Sequence, residues 1–306
     1  MNNIVQDLIK EICNEKGIKY KFISNGWITV LEKNNKVRTI AGYKFDLNKL
    51  ATSKVFDDKF ATYELLKLYN IPVIEHQLFY SKDNLCEYAN EKNTFNYLEK
   101  IAKKYNSDVV IKTNEGTCGR EVYHFTSLSE LKCFYNNLNK KSSYSICPFY
   151  NIENEYRVVI LNNEIRLIYK KTLPIVYGDG KSTIKELLEK YNPSYFKDYS
   201  CSNKDVILLK NEEYKYSWKF NLSNGATASF EIDEEVLINI KNVVNKILNN
   251  LDIMFCSVDI IKTNDKYYVL EINSGVMMKN LLIENKNLYN QIKLIYSDAV
   301  DLMFNL

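Results

Sequence analysis

Polar side chains gather on two strands predicted near the carboxyl end of the chain. Asp259 lies within the strand expected over 256–263, and Glu271 and Asn273 end the strand that follows it. A hairpin closed at Asn264-Asp265 places Asp259 opposite Glu271, and Asn273, two residues further, shares that face. Three oxygen donors on one face suit Mg²⁺. The alternative is a pair of solvated carboxylates at a strand end.

A second pattern is the polar loop that follows Lys112. The chain holds only nine glycines, and two of them, Gly116 and Gly119, fall in this loop. Loop amides of this kind can wrap phosphate oxygens, and the lysine adds a positive charge. The loop lacks the Gly-Lys-Ser/Thr and the helix of a Walker A motif. An ordinary hairpin turn is the alternative.

A third pattern is a group of cations. Arg157 lies early in a predicted hairpin over 156–171, and Lys170 and Lys171 close it, so the ends of its two strands meet. Clustered cations repel one another and are poised for an anion. Adjacent strand residues point to opposite faces, so one of the two lysines is expected to face water. Lys219 and Asn221 lie in a further polar turn.

Composition excludes several classes of protein. The chain has 306 residues and a net charge of +3, which gives no basic field for nucleic acid. No apolar run approaches the ~18 residues of a membrane span. Acidic residues interrupt the apolar amino terminus, which is therefore not a signal peptide. Seven cysteines without a C-x-x-C pair indicate reduced thiols in a cytoplasmic protein, and two histidines exclude a three-histidine metal site.

Strands and helices alternate along the chain, which predicts an α/β or α+β class. A helix is expected over 57–70, opened by Asp57 or Asp58 and stopped by Ile71-Pro72. A strand is expected over 73–80, a short buried strand over 108–112, and a last helix over 285–303.

Five stretches in this order resemble the ATP-grasp ligase superfamily, across residues 52–280. The nearest resemblance is to the ligase part of cyanophycin synthetase and to the ribosomal-protein glutamyl ligases. The stretches are DDKFATYELLKLYNIPV, VVIKTNEGTCGREV, NEYRVVILNNEI, GDGKSTIKELL and SVDII…YYVLEINSG. The resemblance implies an α/β (α+β) ATP-grasp fold in which two lobes clasp ATP. It implies a short amino-terminal α/β extension over 1–50, an N-lobe with the phosphate flap over 51–140, and a C-lobe with the Mg²⁺ site over 141–306.

The resemblance also implies a role for each matching residue. Lys59 and Lys112 would hold ATP phosphates, and Gly116, Thr117 and Gly119 would form the flap over them. Cys147, Phe149 and Tyr150 would form the hinge that reads adenine, and Glu155 would take the ribose hydroxyls. Asp259, Glu271 and Asn273 would bind Mg²⁺, two ions in all, with Mn²⁺ as a substitute. Arg157, Lys219 and Asn221 would lie near the transferred phosphate or acyl group and form the catalytic set.

The implied activity is an ATP-dependent carboxylate-amine ligase. A carboxylate would be phosphorylated to an acyl phosphate, which an amine attacks to form an amide or peptide bond. The expected substrates are ATP and an amino acid, a short peptide or a carrier-bound acyl group, with no nucleic acid or membrane partner. A homodimer is one option. A peptide- or protein-modifying ligase and a non-catalytic nucleotide-binding module are the alternatives.

Overall fold

The computed structural model describes residues 4–84, 89–116, 119, 121–138, 142–192 and 203–305. In this part of the chain the helices are α1 (Ile4–Glu15), α2 (Leu50–Asp57), α3 (Lys59–Leu68), α4 (Phe95–Lys104), α5 (Leu128–Asn136), α6 (Ile184–Tyr191), α7 (Glu234–Leu248), α8 (Lys279–Glu284) and α9 (Tyr289–Asn305). The strands are β1 (Lys19–Ile23), β2 (Ile28–Lys33), β3 (Lys36–Ala41), β4 (Lys44–Phe45), β5 (Gln77–Tyr80), β6 (Val109–Thr113), β7 (Val122–Phe125), β8 (Ser143–Pro148), β9 (Asn154–Leu161), β10 (Glu164–Thr172), β11 (Ile175–Tyr177), β12 (Glu213–Lys215), β13 (Thr227–Ser229), β14 (Phe255–Thr263) and β15 (Lys266–Asn273).

The strands form four antiparallel sheets, so the mixed helix and sheet class predicted from the sequence is confirmed. The amino-terminal sheet has the order β1-β2-β3-β4, and a small sheet pairs β11 with β12. Strands from this amino-terminal sheet, together with α1, α8 and α9, share one apolar core with β9, β10 and β14. The first fifty residues therefore pack directly against the rest of the molecule.

The second sheet has the order β5-β8-β6-β7. Its strands are short and apolar, and alternate side chains point to opposite faces. Ile111 and Ile146 pack beneath α4 and α5 on one face. Val110 and Cys147 lie on the other face, where they join Ile261 of β14 in a second apolar cluster. This second face is the one that looks toward the third sheet.

The third sheet has the order β13-β10-β9-β14-β15, and both of its faces are covered. Val158, Cys256 and Val258 pack against α2, α3 and α7. Val159 and Phe255 point the other way, into the core shared with the amino-terminal sheet. Because strand residues alternate, the polar residues at 155, 157, 171 and 259 all lie on this second face, at the end nearest the second sheet.

Tight turns fix the register of the two long hairpins. Asn162 and Asn163 have φ of 53° and 58°, and Asn264 and Asp265 have φ of 48° and 58°. Two consecutive residues with positive φ are typical of the turn whose twist suits a hairpin, and Asn and Asp tolerate that conformation. Both predicted hairpins are confirmed, and the second pairs Asp259 directly with Glu271.

Three element predictions need correction. The helix expected over 57–70 is α3, which has shorter bounds and is capped, as predicted, by Asp58: its carboxylate accepts from the Ala61 amide at 2.7 Å. The sequence pattern did not indicate α2, which ends at Asp57. The strand expected over 73–80 is confined to β5. The last helix, expected over 285–303, is α9, which begins only at Tyr289, after a short turn in which Asn285 caps the Asn287 amide. The sequence pattern did not indicate α8, which ends at Glu284.

In the described part of the chain, none of the helices is long and apolar enough to cross a membrane.

Candidate functional site

Two lysines from different elements meet beside the polar loop. Lys59 opens α3 and is only 8% exposed, and its Nζ donates to the Gly116 carbonyl at 2.6 Å and the Asn114 carbonyl at 3.3 Å. Burial lowers the pKa of Lys59, and the positive charge of Lys112 adds to this, while the Glu271 carboxylate opposes it. Lys112 of β6 is also buried, and its ammonium group makes no hydrogen bond or ion pair within the described residues.

The base of the loop is held by Asn114. Its side-chain oxygen accepts from the Phe60 amide at 3.1 Å, and its own amide donates to the Ser143 carbonyl at 3.0 Å. These bonds tie the amino terminus of α3 to the ends of β6 and β8. The sequence reasoning did not single out Asn114, because an asparagine in a polar turn carries no signal of its own.

The two loop glycines lie against neighbouring side chains. Gly119 has φ of 66°, and a Cβ there would stand 2.4 Å from the side-chain nitrogen of Asn221. A Cβ at Gly116 would stand 1.8 Å from the Thr113 hydroxyl. A side chain at either position would force neighbouring groups to move. Thr117 lies outside the described residues.

The turn around Lys219 and Asn221 reaches this loop from the opposite side. Lys219 Nζ donates to the Val122 carbonyl of β7 at 2.8 Å, and burial lowers the pKa of Lys219. Asn221 caps its own turn by accepting from the Ser223 amide at 2.9 Å. Both residues therefore lie near the loop: Lys219 contacts the Val122 backbone, and the Asn221 side chain lies next to Gly119.

The residues assigned to the hinge lie at the end of β8 and directly after it. Cys147 is buried in the apolar cluster that joins the second and third sheets. The Phe149 ring stacks on His124 with centroids 4.0 Å apart, and Trp218 meets Phe149 edge-on at 5.7 Å. The Tyr150 hydroxyl accepts from the Glu75 amide at 3.4 Å. This segment thus packs in the apolar cluster where the second and third sheets meet.

A dense ionic cluster occupies the polar face of the third sheet. Arg157 donates to Asp259 through two nitrogens, at 2.7 and 2.6 Å, and Lys171 lies 3.0 Å from the same carboxylate. Lys171 also pairs with Glu155. Asp259 is 1% exposed and Lys171 is 4% exposed, so both charges are almost fully removed from water. Lys170 is half-buried and points to the opposite face of the sheet. Of the two adjacent lysines, Lys171 is therefore the one that joins the ionic cluster.

Burial and charge compete within this cluster. Burial alone would raise the pKa of Asp259, but Arg157 and Lys171 outweigh it and hold that pKa below its ordinary value. Burial raises the pKa of Glu155, with Lys171 opposing. Glu155 is thus engaged by Lys171, and a ribose would have to compete with that ion pair.

The three residues assigned to Mg²⁺ lie on one face, as the hairpin geometry predicts. Asp259 pairs with Glu271 across the ladder, and the Asn273 amide donates to Glu271 at 3.2 Å. Among the described residues, no three His, Cys, Asp or Glu side chains are grouped to hold a metal ion. Two carboxylates and one amide oxygen are nevertheless the hard donors that Mg²⁺ takes. The set fits the ion once Arg157 and Lys171 turn away from Asp259.

The structure also shows a pair that the sequence reasoning missed. His76, directly before β5, is 1% exposed, and its Nδ1 lies 2.5 Å from the hydroxyl of Ser145. The only available signal was that the chain has two histidines and that one of them precedes a strand.

Comparisons with solved structures identify the fold. The chain is similar to a D-alanine–D-alanine ligase from Bacillus anthracis, with a TM-score of 0.53 and 14% identity over 86% of this chain and 71% of that one. The same ligase complexed with ATP gives a TM-score of 0.52 at 14% identity, over 85% and 69% of the two chains. A bifunctional glutathione synthetase from Pasteurella multocida gives 0.52 at 17% identity, over 96% of this chain but 43% of that one.

The sequence matches no protein-family model, and comparison with curated proteins gives no match. The structural likenesses confirm the ATP-grasp fold that the five sequence stretches predicted.

Proposed function

We propose that this chain is an ATP-dependent carboxylate-amine ligase. ATP phosphorylates a carboxylate, ADP leaves, and an amine then attacks the acyl phosphate and releases inorganic phosphate. A fold by itself can host many activities, so the proposal depends on the site. One observation carries it: Lys59 and Lys112 lie together beside the loop that contains Gly116 and Gly119. Glu271 is close enough to raise the pKa of Lys59.

The two lysines and the loop form the nucleotide-phosphate site. Lys59 is now held by the Gly116 and Asn114 carbonyls, and Lys112 has no partner within the described residues. Both ammonium groups can turn to a triphosphate, which carries the negative charge that this buried pair lacks. The segment Cys147–Tyr150 then forms the adenine wall, and Glu155 is assigned to the ribose.

Asp259, Glu271 and Asn273 would hold Mg²⁺, with two ions expected. When bound, the metal neutralises charge on the phosphates and orients them. The rest of the chemistry falls to side chains of the chain itself.

Arg157 and Lys171 are the cations for the transferred phosphoryl and acyl groups. They are paired with Asp259 in this structure, so an arriving anion exchanges one partner for another instead of meeting a bare charge. Such exchange limits the cost of holding two buried cations before substrate arrives. Lys219 and Asn221, which lie near the loop of Gly116 and Gly119, are assigned to the same transferred phosphoryl and acyl groups. Because charge develops on the phosphoryl oxygens, fixed cations there lower the barrier.

The proposed substrates are an amino acid, a short peptide or a carrier-bound acyl group, with a free amine as acceptor. A screen of ADP release over pairs of amino acids tests this. We expect release that depends on both members of one pair and on Mg²⁺. ATP turnover that no carboxylate or amine stimulates would contradict ligation. Binding of ATP without any turnover would instead indicate a nucleotide-binding module.

A further inference from the structure

Tyr169 of β10 is a buried residue beside the ionic cluster, and the proposed mechanism gives it no part. It is 1% exposed, and in the pairing of β9 with β10 it lies directly opposite Arg157. Cross-strand partners share a face, so Tyr169 lies on the face that carries Asp259 and Lys171. A buried tyrosine hydroxyl usually has a hydrogen-bond partner, so the groups around it indicate its role.

The ring and the hydroxyl of Tyr169 have different surroundings. The ring belongs to the apolar core shared with the amino-terminal sheet, and its centroid lies 6.0 Å from that of the Phe230 ring. At the hydroxyl, burial raises the pKa of Tyr169, and the positive charges of Arg157 and Lys171 oppose this rise, as does a hydrogen bond from Arg157. Burial lowers the pKa of Arg157, whereas Asp259 and then Tyr169 raise it. A guanidinium N–H therefore donates to the phenol oxygen.

Arg157 thus has two acceptors of different charge. Two of its nitrogens donate to the Asp259 carboxylate, at 2.7 and 2.6 Å, and the guanidinium has further N–H groups for the phenol. The pKa of Tyr169 is raised above its ordinary value, so the phenol is protonated and neutral at neutral pH. A neutral acceptor orients the guanidinium without cancelling its positive charge, as a carboxylate does. Because the ring is packed in the core, the phenol oxygen is a fixed point.

We propose that Tyr169 is a positioning residue for Arg157: its hydroxyl accepts from the guanidinium and keeps that group directed at the transferred phosphoryl oxygens when Asp259 turns to the metal. Asp259 takes part in the ion pair and is also assigned to Mg²⁺, so Arg157 needs an acceptor that does not leave with the metal. The phenol supplies it, because it is neutral and is not among the assigned metal donors. The inference rests on the proposed function, which assigns Asp259 to Mg²⁺.

The direct test is a ¹H–¹⁵N spectrum of the arginine Nε–H groups, recorded with and without Mg²⁺ and a nonhydrolysable ATP analogue. The chain has four arginines, and the variant Arg157→Lys assigns the signal of Arg157. In the wild type this signal should shift when the analogue binds, as Asp259 is released, while its Nε proton remains protected from exchange with water. In Tyr169→Phe with the analogue bound, that proton should exchange ~10-fold faster, since a hydrogen bond to a charged group commonly contributes that much.

Three results of this measurement would overturn the proposal. Equal exchange of the Arg157 proton in the two proteins, with the analogue bound, would show that the phenol does not hold the guanidinium. A wild-type signal that ignores the analogue would show that Asp259 keeps Arg157. If Tyr169→Phe does not fold, the wild-type spectrum still decides, because loss of protection when the analogue binds would show that Asp259 alone holds the group.

A kinetic test uses the substrate pair found in the screen. Tyr169→Phe keeps the ring and removes only the acceptor, and it should lower kcat ~10-fold while the KM for ATP changes by less than about threefold. Tyr156→Phe is the matched control, since Tyr156 is 2% exposed and packs on the opposite face of β9. It should leave both constants within about twofold of the wild type. A loss of kcat in the control as large as in Tyr169→Phe would show a packing role only.

A double-mutant cycle shows whether Tyr169 acts through Arg157. In the Arg157→Ala background there is no guanidinium to position, so adding Tyr169→Phe should change kcat by less than about twofold. The same ~10-fold loss in both backgrounds would contradict the positioning role.

The outcomes separate this inference from the proposed function. Wild-type protein that binds the analogue but never ligates would refute the ligase, and the arginine spectrum would still decide on Tyr169. A ligase in which Arg157 stays equally protected without the phenol would refute the positioning role alone. Wild-type protein that binds no nucleotide would refute both.

Discussion

The substitution Lys171→Met, compared with Lys170→Met, separates the ionic cluster from the surface beside it. The two lysines are adjacent in β10, but Lys171 is paired with Asp259 and Glu155, while Lys170 is half-buried on the other face. Removing one partner of a buried ion pair commonly costs about 3–5 kcal/mol in unfolding free energy, because it leaves the other charge unpaired. Lys170 makes no ion pair within the described residues, so its substitution should cost less than about 1 kcal/mol.

The cost of Lys171→Met should depend on pH. Lys171 is the main group that opposes the burial that raises the pKa of Glu155, and Arg157 opposes it less. Without Lys171 the folded pKa of Glu155 therefore rises further above the ordinary 4.5. The folded state then binds more protons than the unfolded state, and the unfolding free energy falls as pH rises above 4.5. In the variant Asp259 remains paired with Arg157, and its pKa lies below the range from pH 5 to pH 7, so Asp259 stays ionised there. The variant should thus be relatively less destabilised at pH 5 than at pH 7.

Urea unfolding of both variants and the wild type at pH 5 and pH 7 measures these differences. The dependence of the unfolding free energy on urea concentration should be the same in all three proteins, so that a difference in the urea midpoint reports a difference in stability. The reasoning fails if the two variants lose the same stability, or if the loss in Lys171→Met is unchanged between the two pH values.

Three further predictions concern the proposed site. Glu271→Gln should abolish phosphate transfer, because it removes one metal donor, while the temperature of thermal unfolding stays near that of the wild type, because the residue is half-buried. Turnover at the wild-type rate would exclude Glu271 as a metal ligand. Arg157→Ala should lower kcat ~10²–10³-fold with little change in ATP affinity, as loss of a transition-state charge contact does; weaker ATP binding with unchanged turnover at saturating ATP would move Arg157 to the nucleotide site. Gly119→Ala should weaken ATP binding, since φ of 66° and the contact with Asn221 both oppose a Cβ; unchanged affinity in a calorimetric titration would show that the loop does not cover the nucleotide.

The sequence could predict the parts of the site that depend on local patterns. The turn-prone pairs Asn-Asn and Asn-Asp, with the alternating strands beside them, are enough to predict both long hairpins, and the second hairpin places Asp259 opposite Glu271. The strand that ends near Lys112 and the scarcity of glycine likewise point to the loop. Each of these follows from turn chemistry and a two-residue period, which the sequence shows directly.

The remaining features depend on contacts between distant residues. The sequence predicts that only one of Lys170 and Lys171 points into the site, because adjacent strand residues point to opposite faces. It does not show which one, since that depends on the register of β10 against β9. It could not show that Arg157 is bound to Asp259, because the two lie 102 residues apart. Nor did the sequence indicate α2, a short helix of eight residues whose one buried residue, Phe56, packs against distant strands.

The most direct test of the ligase proposal follows one oxygen atom. A carboxylate substrate labelled with ¹⁸O in both oxygens is incubated with ATP, Mg²⁺ and the amine acceptor found in the screen, and the released phosphate is examined by mass spectrometry. If the carboxylate is phosphorylated and the amine displaces phosphate, one ¹⁸O atom must pass into inorganic phosphate for each amide bond formed. Amide formation with unlabelled phosphate, or ADP release in which the carboxylate keeps both labels, would contradict the acyl-phosphate ligase.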